Sequence, residues 1–213
     1  MFIFSLAAIV LPLLPLTALF IRNSLDQPGM PLLAALCVFA FLREILCVGL
    51  SSLPLNAAAI NAIFNPVEII TLSLLFSSII KNKCLKQYLN LILTSVLSVI
   101  LTIYALEGVS AYAGRINAFL SLFIIALSLM AIYTIIINEQ SFILHSPLFW
   151  IGGGSLGYFA IFLLSEILKR YEFPVTPDIE TEQFILLKAI TIVRYVFYAT
   201  GVLLARANPV QIS

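Results

Sequence analysis

Seven runs of about twenty apolar residues, separated by very short connections, constrain this chain more than any other feature. They cover residues 2–22, 30–52, 57–80, 87–106, 115–137, 147–169 and 182–206. At about 1.5 Å of rise per residue, each run reaches across the roughly 30 Å hydrocarbon core of a bilayer as a helix. Lipid offers no partner to an unpaired backbone N–H or C=O, so helices are the expected form of such runs. Composition agrees, with 62% hydrophobic and 10% charged residues and a mean hydropathy of +1.13. The fold class predicted is an all-α integral membrane protein. It forms a bundle of seven transmembrane helices with residues 1–213 in a single membrane domain.

Little chain is left for anything else. The longest connection, 170–181, holds Pro174, Pro177, Glu172, Asp178 and Glu180, and has no room for a soluble catalytic domain. The first run is expected to stay in the mature protein. It lacks a basic n-region, contains Pro12 and Pro15, and no clear small-residue cleavage site follows it before Arg22 and Asp26. The two prolines should bend or loosen that helix.

Lys and Arg distribution sets the expected orientation. With the N-terminus outside, Arg22, Lys81, Lys83, Lys86 and Arg206 fall on the cytoplasmic side, and Arg115, Lys169 and Arg170 on the outer side. The cytoplasmic excess favours N-out and C-in, in a bacterial cytoplasmic (inner) membrane. A net charge of +1 gives no reason to expect a nucleic-acid partner. The expected partners are the lipid bilayer and a signalling protein reached at the cytoplasmic side.

Six ionisable residues lie within the apolar runs: Arg43, Glu44, Glu68, Glu166, Lys188 and Arg194. A charge at the centre of a membrane helix costs about 2.5–3.5 kcal/mol on insertion scales, so such residues face the bundle interior, pair, and mark functional sites. Helical rise places all six in the middle or outer half of the bundle. Lys188 and Glu166, nearer the outer ends of their runs, are expected to snorkel to the interface. Arg43, Glu44, Glu68 and Arg194 form the deeper set. Two readings apply to Glu68 and Arg194, a ligand site or an ion pair that fixes helix register.

Spacing adds neutral partners. Lys188, Thr191, Tyr195 and Tyr198 share a face of the last run, with Arg194 turned toward the adjacent side. Asn61, Asn65, Glu68 and Thr71 form a second polar stripe, interrupted by Pro66. The candidate ligand-binding or coupling residues are therefore Arg43, Glu44, Glu68, Arg194, Asn65, Tyr195 and Tyr198. Gly152-Gly153-Gly154-Ser155-Leu156-Gly157 follows no strand and lacks the Lys of a phosphate loop, so close helix packing is its expected role. Trp150 is expected in an interfacial belt.

Catalysis is not expected. Glu44 and Glu68 are the only deep carboxylates, His145 is the only histidine, and Cys37, Cys47 and Cys84 lack metal-site spacing. No metal and no cofactor are predicted. Retinal on Lys188, with Glu68 as counter-ion, is disfavoured because Lys188 lies toward the outer end while Arg194 holds the central depth.

An internal repeat is faintly visible. Phe41-Leu42-Arg43-Glu44-Ile45-Leu46 aligns with Leu163-Leu164-Ser165-Glu166-Ile167-Leu168, and the following runs then set Glu68 near Arg194. Runs one to three and five to seven would be parallel repeats joined by the fourth, a 3+1+3 plan known in small sugar carriers. As a whole, seven spans with short loops, N-out, and the basic inner turn Lys81 to Lys86 resemble the seven-helix sensor modules of bacterial histidine kinases. That resemblance implies a sensory or receptor-like module with a polar site in the middle or outer half of the bundle. The chain departs from the pattern by reaching Ser213 without a kinase domain, so sensing is expected to need a separate membrane partner. The alternative is a small-solute transporter of the 3+1+3 type.

Overall fold

The computed structural model describes residues 6, 7, 9–49, 57–79, 83–107, 113–138, 143–170 and 177–205. Among them are seven principal helices: α1 Leu13–Arg22, α2 Met30–Gly49, α3 Ala57–Ile79, α4 Lys83–Glu107, α5 Ala113–Asn138, α6 Pro147–Arg170 and α7 Pro177–Ala205. A short 3-10 turn, Ile143–His145, precedes α6.

Local chemistry explains several boundaries. Helical residues before Pro12 give way to a turn at Leu11 and Pro12, so the first run is interrupted rather than continuous. That break is the loosening its prolines predict. α1 stops at Asn23, in the left-handed region at φ 48°, where the Asn23 and Ser24 N–H groups reach back to the Phe20 and Leu19 carbonyls. α6 and α7 both begin at a proline, whose missing N–H costs nothing in a first turn. α3 runs on through Pro66.

Five helical segments are long and apolar enough to cross a membrane: Met30–Gly49, Lys86–Leu106, Ile116–Ile137, Pro147–Leu168 and Glu182–Ala205. Leu13–Arg22 and Ile63–Ser78 are shorter apolar segments. The outer surface suits lipid, with large side chains such as Ile21, Leu91, Leu101 and Leu106 exposed while Glu44, Glu166 and Arg194 are buried.

Packing arranges six helices in a ring. α1 touches α2, α2 touches α3, α3 touches α5, α5 touches α6, α6 touches α7, and α7 returns to α1. α4 lies outside, with α3 as its main neighbour. Its buried positions, Leu89, Leu93, Val96 and Ile100, form one narrow stripe, and Tyr88, Leu91, Ile92 and Val99 are exposed.

Small residues set the closest approaches. A Cβ at Gly154 would lie 2.9 Å from Phe197 Cβ and 3.2 Å from the Arg194 carbonyl oxygen, and one at Gly201 would lie 2.7 Å from the Pro147 carbonyl oxygen. α6 and α7 therefore meet almost backbone to backbone. Gly152 faces the other neighbour, with Ile132 of α5 at 3.2 Å. Gln27, in the first connection, donates to the Ala205 carbonyl at the end of α7, 3.1 Å away. Trp150 donates to the Leu144 carbonyl at 2.8 Å. Lys81, Glu172, Pro174 and Arg206, on which the orientation and the long connection partly rest, lie outside the described residues.

Candidate functional site

Five of the six charges within the apolar runs form one connected line. Lys188 Nζ donates to Glu44 Oε2 at 2.8 Å, and Glu44 Oε1 is 3.3 Å from Arg43 Nη2. Arg43 Nη1 then lies 3.4 Å from Glu68 Oε2, whose other oxygen receives Arg194 Nη1 at 2.5 Å. Cation and anion alternate, so each carboxylate bridges two bases. The line continues through neutral groups. Arg194 Nε donates to the Tyr198 hydroxyl at 2.8 Å, which is 2.7 Å from Ser155 Oγ of α6.

Helix positions explain why these side chains meet. Arg43 and Glu44 are past the middle of α2, whereas Glu68 is at the midpoint of α3 and Lys188 in the first half of α7, both running the other way. Lys188 and Tyr198 are ten residues apart, so the polar line extends about 15 Å along α7 into the bundle. Below it the packing is apolar, with Ile151 and Val202 fully buried.

Arg194 is the deepest charge, at 2% exposure. The rings of Tyr158, Tyr198, Phe159 and Tyr195 stand around its guanidinium carbon at 4.6, 5.1, 5.4 and 5.8 Å. Such rings attract a cation through their faces, by about 0.5–2 kcal/mol where water is excluded. Its remaining nitrogen, Nη2, is buried without a hydrogen-bond acceptor among the described residues.

Beside the line is a cavity of about 230 Å³. Arg43, Glu44, Cys47, Asn65, Glu68, Asn117, Lys188 and Thr191 supply its polar wall, and Ile69, Leu120, Phe159, Phe162, Phe184 and Leu187 its apolar wall. The amides close one side, with Asn65 Nδ2 donating to Asn117 Oδ1 at 2.8 Å. Thr71 and Thr191 turn their hydroxyls to the carbonyls of Val67 and Leu187 in their own helices.

Of the residues singled out from sequence, Arg43, Glu44, Glu68, Arg194 and Tyr198 are joined in the line, Tyr195 packs on Arg194, and Asn65 borders the cavity. The side chain of Asn61 lies outside the described residues. Two expectations need correction. Lys188 does not reach for the interface but pairs with Glu44. The apolar segment of α7 begins at Glu182, as the seventh run does, but the helix itself begins at Pro177, which sets Lys188 about three turns into the helix. Glu166 is also buried, at 8% exposure, rather than interfacial. Sequence reasoning missed Asn117, Ser155, Tyr158 and Phe159. An Asn in the apolar fifth run was a usable signal for the first.

Lys188 is paired with Glu44, and Glu68 pairs with the two arginines rather than with Lys188. Among the described residues no group of three or more His, Cys, Asp or Glu is placed to hold a metal, and Cys37 and Cys47 are free thiols. The chain matches no family model, no curated protein and no solved structure.

Proposed function

We propose that this chain is a receptor-like, sensory membrane module that binds a small polar ligand in the cavity beside the Lys188–Glu44–Arg43–Glu68–Arg194 line. The observation that carries this reading is the continuity between cavity and charge line. A ligand contacting Lys188 or Arg43 would compete with carboxylates whose other oxygens hold bases on different helices, so binding in the cavity would shift helix contacts deeper in the bundle. The module would lie N-out and C-in in a bacterial cytoplasmic membrane, as the balance of Lys and Arg favours. A separate protein would read its conformation at the cytoplasmic side, as in the histidine-kinase sensor modules it resembles in architecture. No catalytic step and no cofactor belong to this reading.

Trp150, the only tryptophan, lies in the first turn of α6 and so near the opposite end of the bundle from the cavity. Protein reconstituted in nanodiscs should show saturable changes in Trp150 emission with one member of a panel of amino acids, carboxylates and sugars. Glu68→Gln should abolish the response.

A second reading, a small-solute transporter of the 3+1+3 type, is favoured by the ring. Exchanging α1 with α5, α2 with α6 and α3 with α7 carries every contact of the ring onto another contact of the ring. Glu44 and Glu166, equivalent under that exchange, are both 8% exposed, and Glu68 pairs with its equivalent, Arg194. Proteoliposome uptake of a panel member, abolished in Glu68→Gln, would replace the sensory reading with the carrier.

A further inference from the structure

We infer that the cavity recognises a small organic monoanion, a carboxylate carried on an apolar or aromatic body. This deepens the ligand-binding reading above and rests on it. The first support is the charge count of the connected line. Lys188, Arg43 and Arg194 supply three positive charges, and Glu44 and Glu68 two negative ones, leaving one cation in excess. Neither Glu166 nor Arg194 is among the cavity-lining residues, and Arg194 bears on the cavity through its ion pair with Glu68. An excess charge is expensive where water is scarce, and a bound anion would complete the alternation.

Hydrogen-bond capacity points the same way. Lys188 and Arg194 end the line, and each touches one carboxylate, whereas both carboxylates are already shared between two bases. Arg43 holds its two partners only at 3.3 and 3.4 Å, longer than good charged hydrogen bonds. The site therefore has donors to spare and few free acceptors, which suits a carboxylate and opposes an ammonium ion.

Shape supplies the rest of the class. Phe159, Phe162, Phe184 and Leu120 line the cavity together with the charges, so the ligand needs an apolar side. An engineered cavity of about 150 Å³ accepts benzene. By proportion, a volume of about 230 Å³ holds about nine non-hydrogen atoms. Benzoate is of that size and chemistry and serves as the probe.

Cys47 lines the same cavity and gives a reporter. With Cys37 and Cys84 replaced by serine, the reconstituted protein is treated with an anionic methanethiosulfonate reagent and with its cationic trimethylammonium counterpart. Each rate is normalised to that of a small free thiol. The anionic reagent should be favoured about tenfold, and Lys188→Gln should cut that preference several-fold. Benzoate should protect Cys47, whereas benzamide and benzylamine should not. Reaction of Cys47 with a preference for the cation, or protection by benzylamine or benzamide rather than benzoate, overturns the monoanion inference while leaving the cavity as a site. Equal preference, or no protection by benzoate, overturns it too. Failure of both reagents to reach Cys47 overturns the ligand-binding reading itself.

Discussion

Replacing Glu68 by Gln keeps the size of the side chain and one acceptor oxygen but removes the charge between two arginines. The two arginines differ in what they lose. Arg43, with its side chain 16% exposed, keeps Glu44 at 3.3 Å, so its loss resembles that of a partly solvated pair, about 0–1 kcal/mol. Arg194 is 2% exposed and has no other carboxylate among its ion pairs in the described residues. The Tyr198 hydroxyl and four aromatic rings remain to it, but none carries a full negative charge. Breaking a buried pair by removing one partner costs about 3–5 kcal/mol, and most of the effect of Glu68→Gln should come from Arg194. That is a large part of a typical total of about 5–15 kcal/mol. Equilibrium unfolding in mixed detergent micelles, followed by circular dichroism and Trp150 emission, measures it. Removing both partners, in Glu68→Gln with Arg194→Gln, should recover about 1–3 kcal/mol relative to the sum of the single changes. A single-variant loss below about 1 kcal/mol, or strict additivity in the double variant, would falsify the buried-pair argument.

Other changes test neighbouring contacts. Tyr198→Phe removes the hydroxyl shared by Arg194 and Ser155 and should cost about 1.5–3 kcal/mol in the same unfolding assay; a neutral result would mean that the bond to Arg194 contributes nothing net. Asn65→Leu should cost about 1–3 kcal/mol because Asn117 loses its partner, and adding Asn117→Leu should restore part of that loss; a further fall in the double variant would count against the amide pair. Gly201→Ala, with Pro147 backbone in its way, should lower stability by about 1–3 kcal/mol, whereas Gly153→Ala, whose Cβ would meet only the Phe197 ring at 3.6 Å, should change little. Equal effects at the two glycines would show that α6 and α7 are not held at backbone distance.

The helices were more legible than the site, for physical reasons. Hydrophobic run length marks a lipid-facing helix directly, so the second and third runs, read as 30–52 and 57–80, correspond to Met30–Gly49 and Ala57–Ile79. The polar start of α7 is different. Asp178, Glu180 and Glu182 carry no apolar signal, so the run 182–206 marks the apolar segment Glu182–Ala205 but not the polar turn by which the helix begins earlier, at Pro177. Depth along a helix finds charges at similar heights, which is why Glu68 and Arg194 were joined from sequence. It does not give rotation about the axis or the order of helices around the ring. The reach of Lys188 to Glu44, and of Tyr198 to Ser155, depends on both. Gly154 shows the same limit, since its sequence context implied close packing but not the partner, Phe197 beside Arg194.

The charge line also has an order in time. Arg43, Glu44 and Glu68 belong to helices made early, while Lys188 and Arg194 arrive with α7. Glu44 and Lys188 are 144 residues apart, so at about 5–20 residues per second the early acids wait on the order of ten seconds for their second bases. During that interval the first three helices hold two acids of this line against one base, and they complete neither ring nor line. Closure of α7 against α1 and α6 therefore follows the synthesis of the early helices, and it takes the line from one acid in excess to one base in excess. A chain halted before Lys188 would hold two acids of the line against one base, a net charge that is costly where water is scarce.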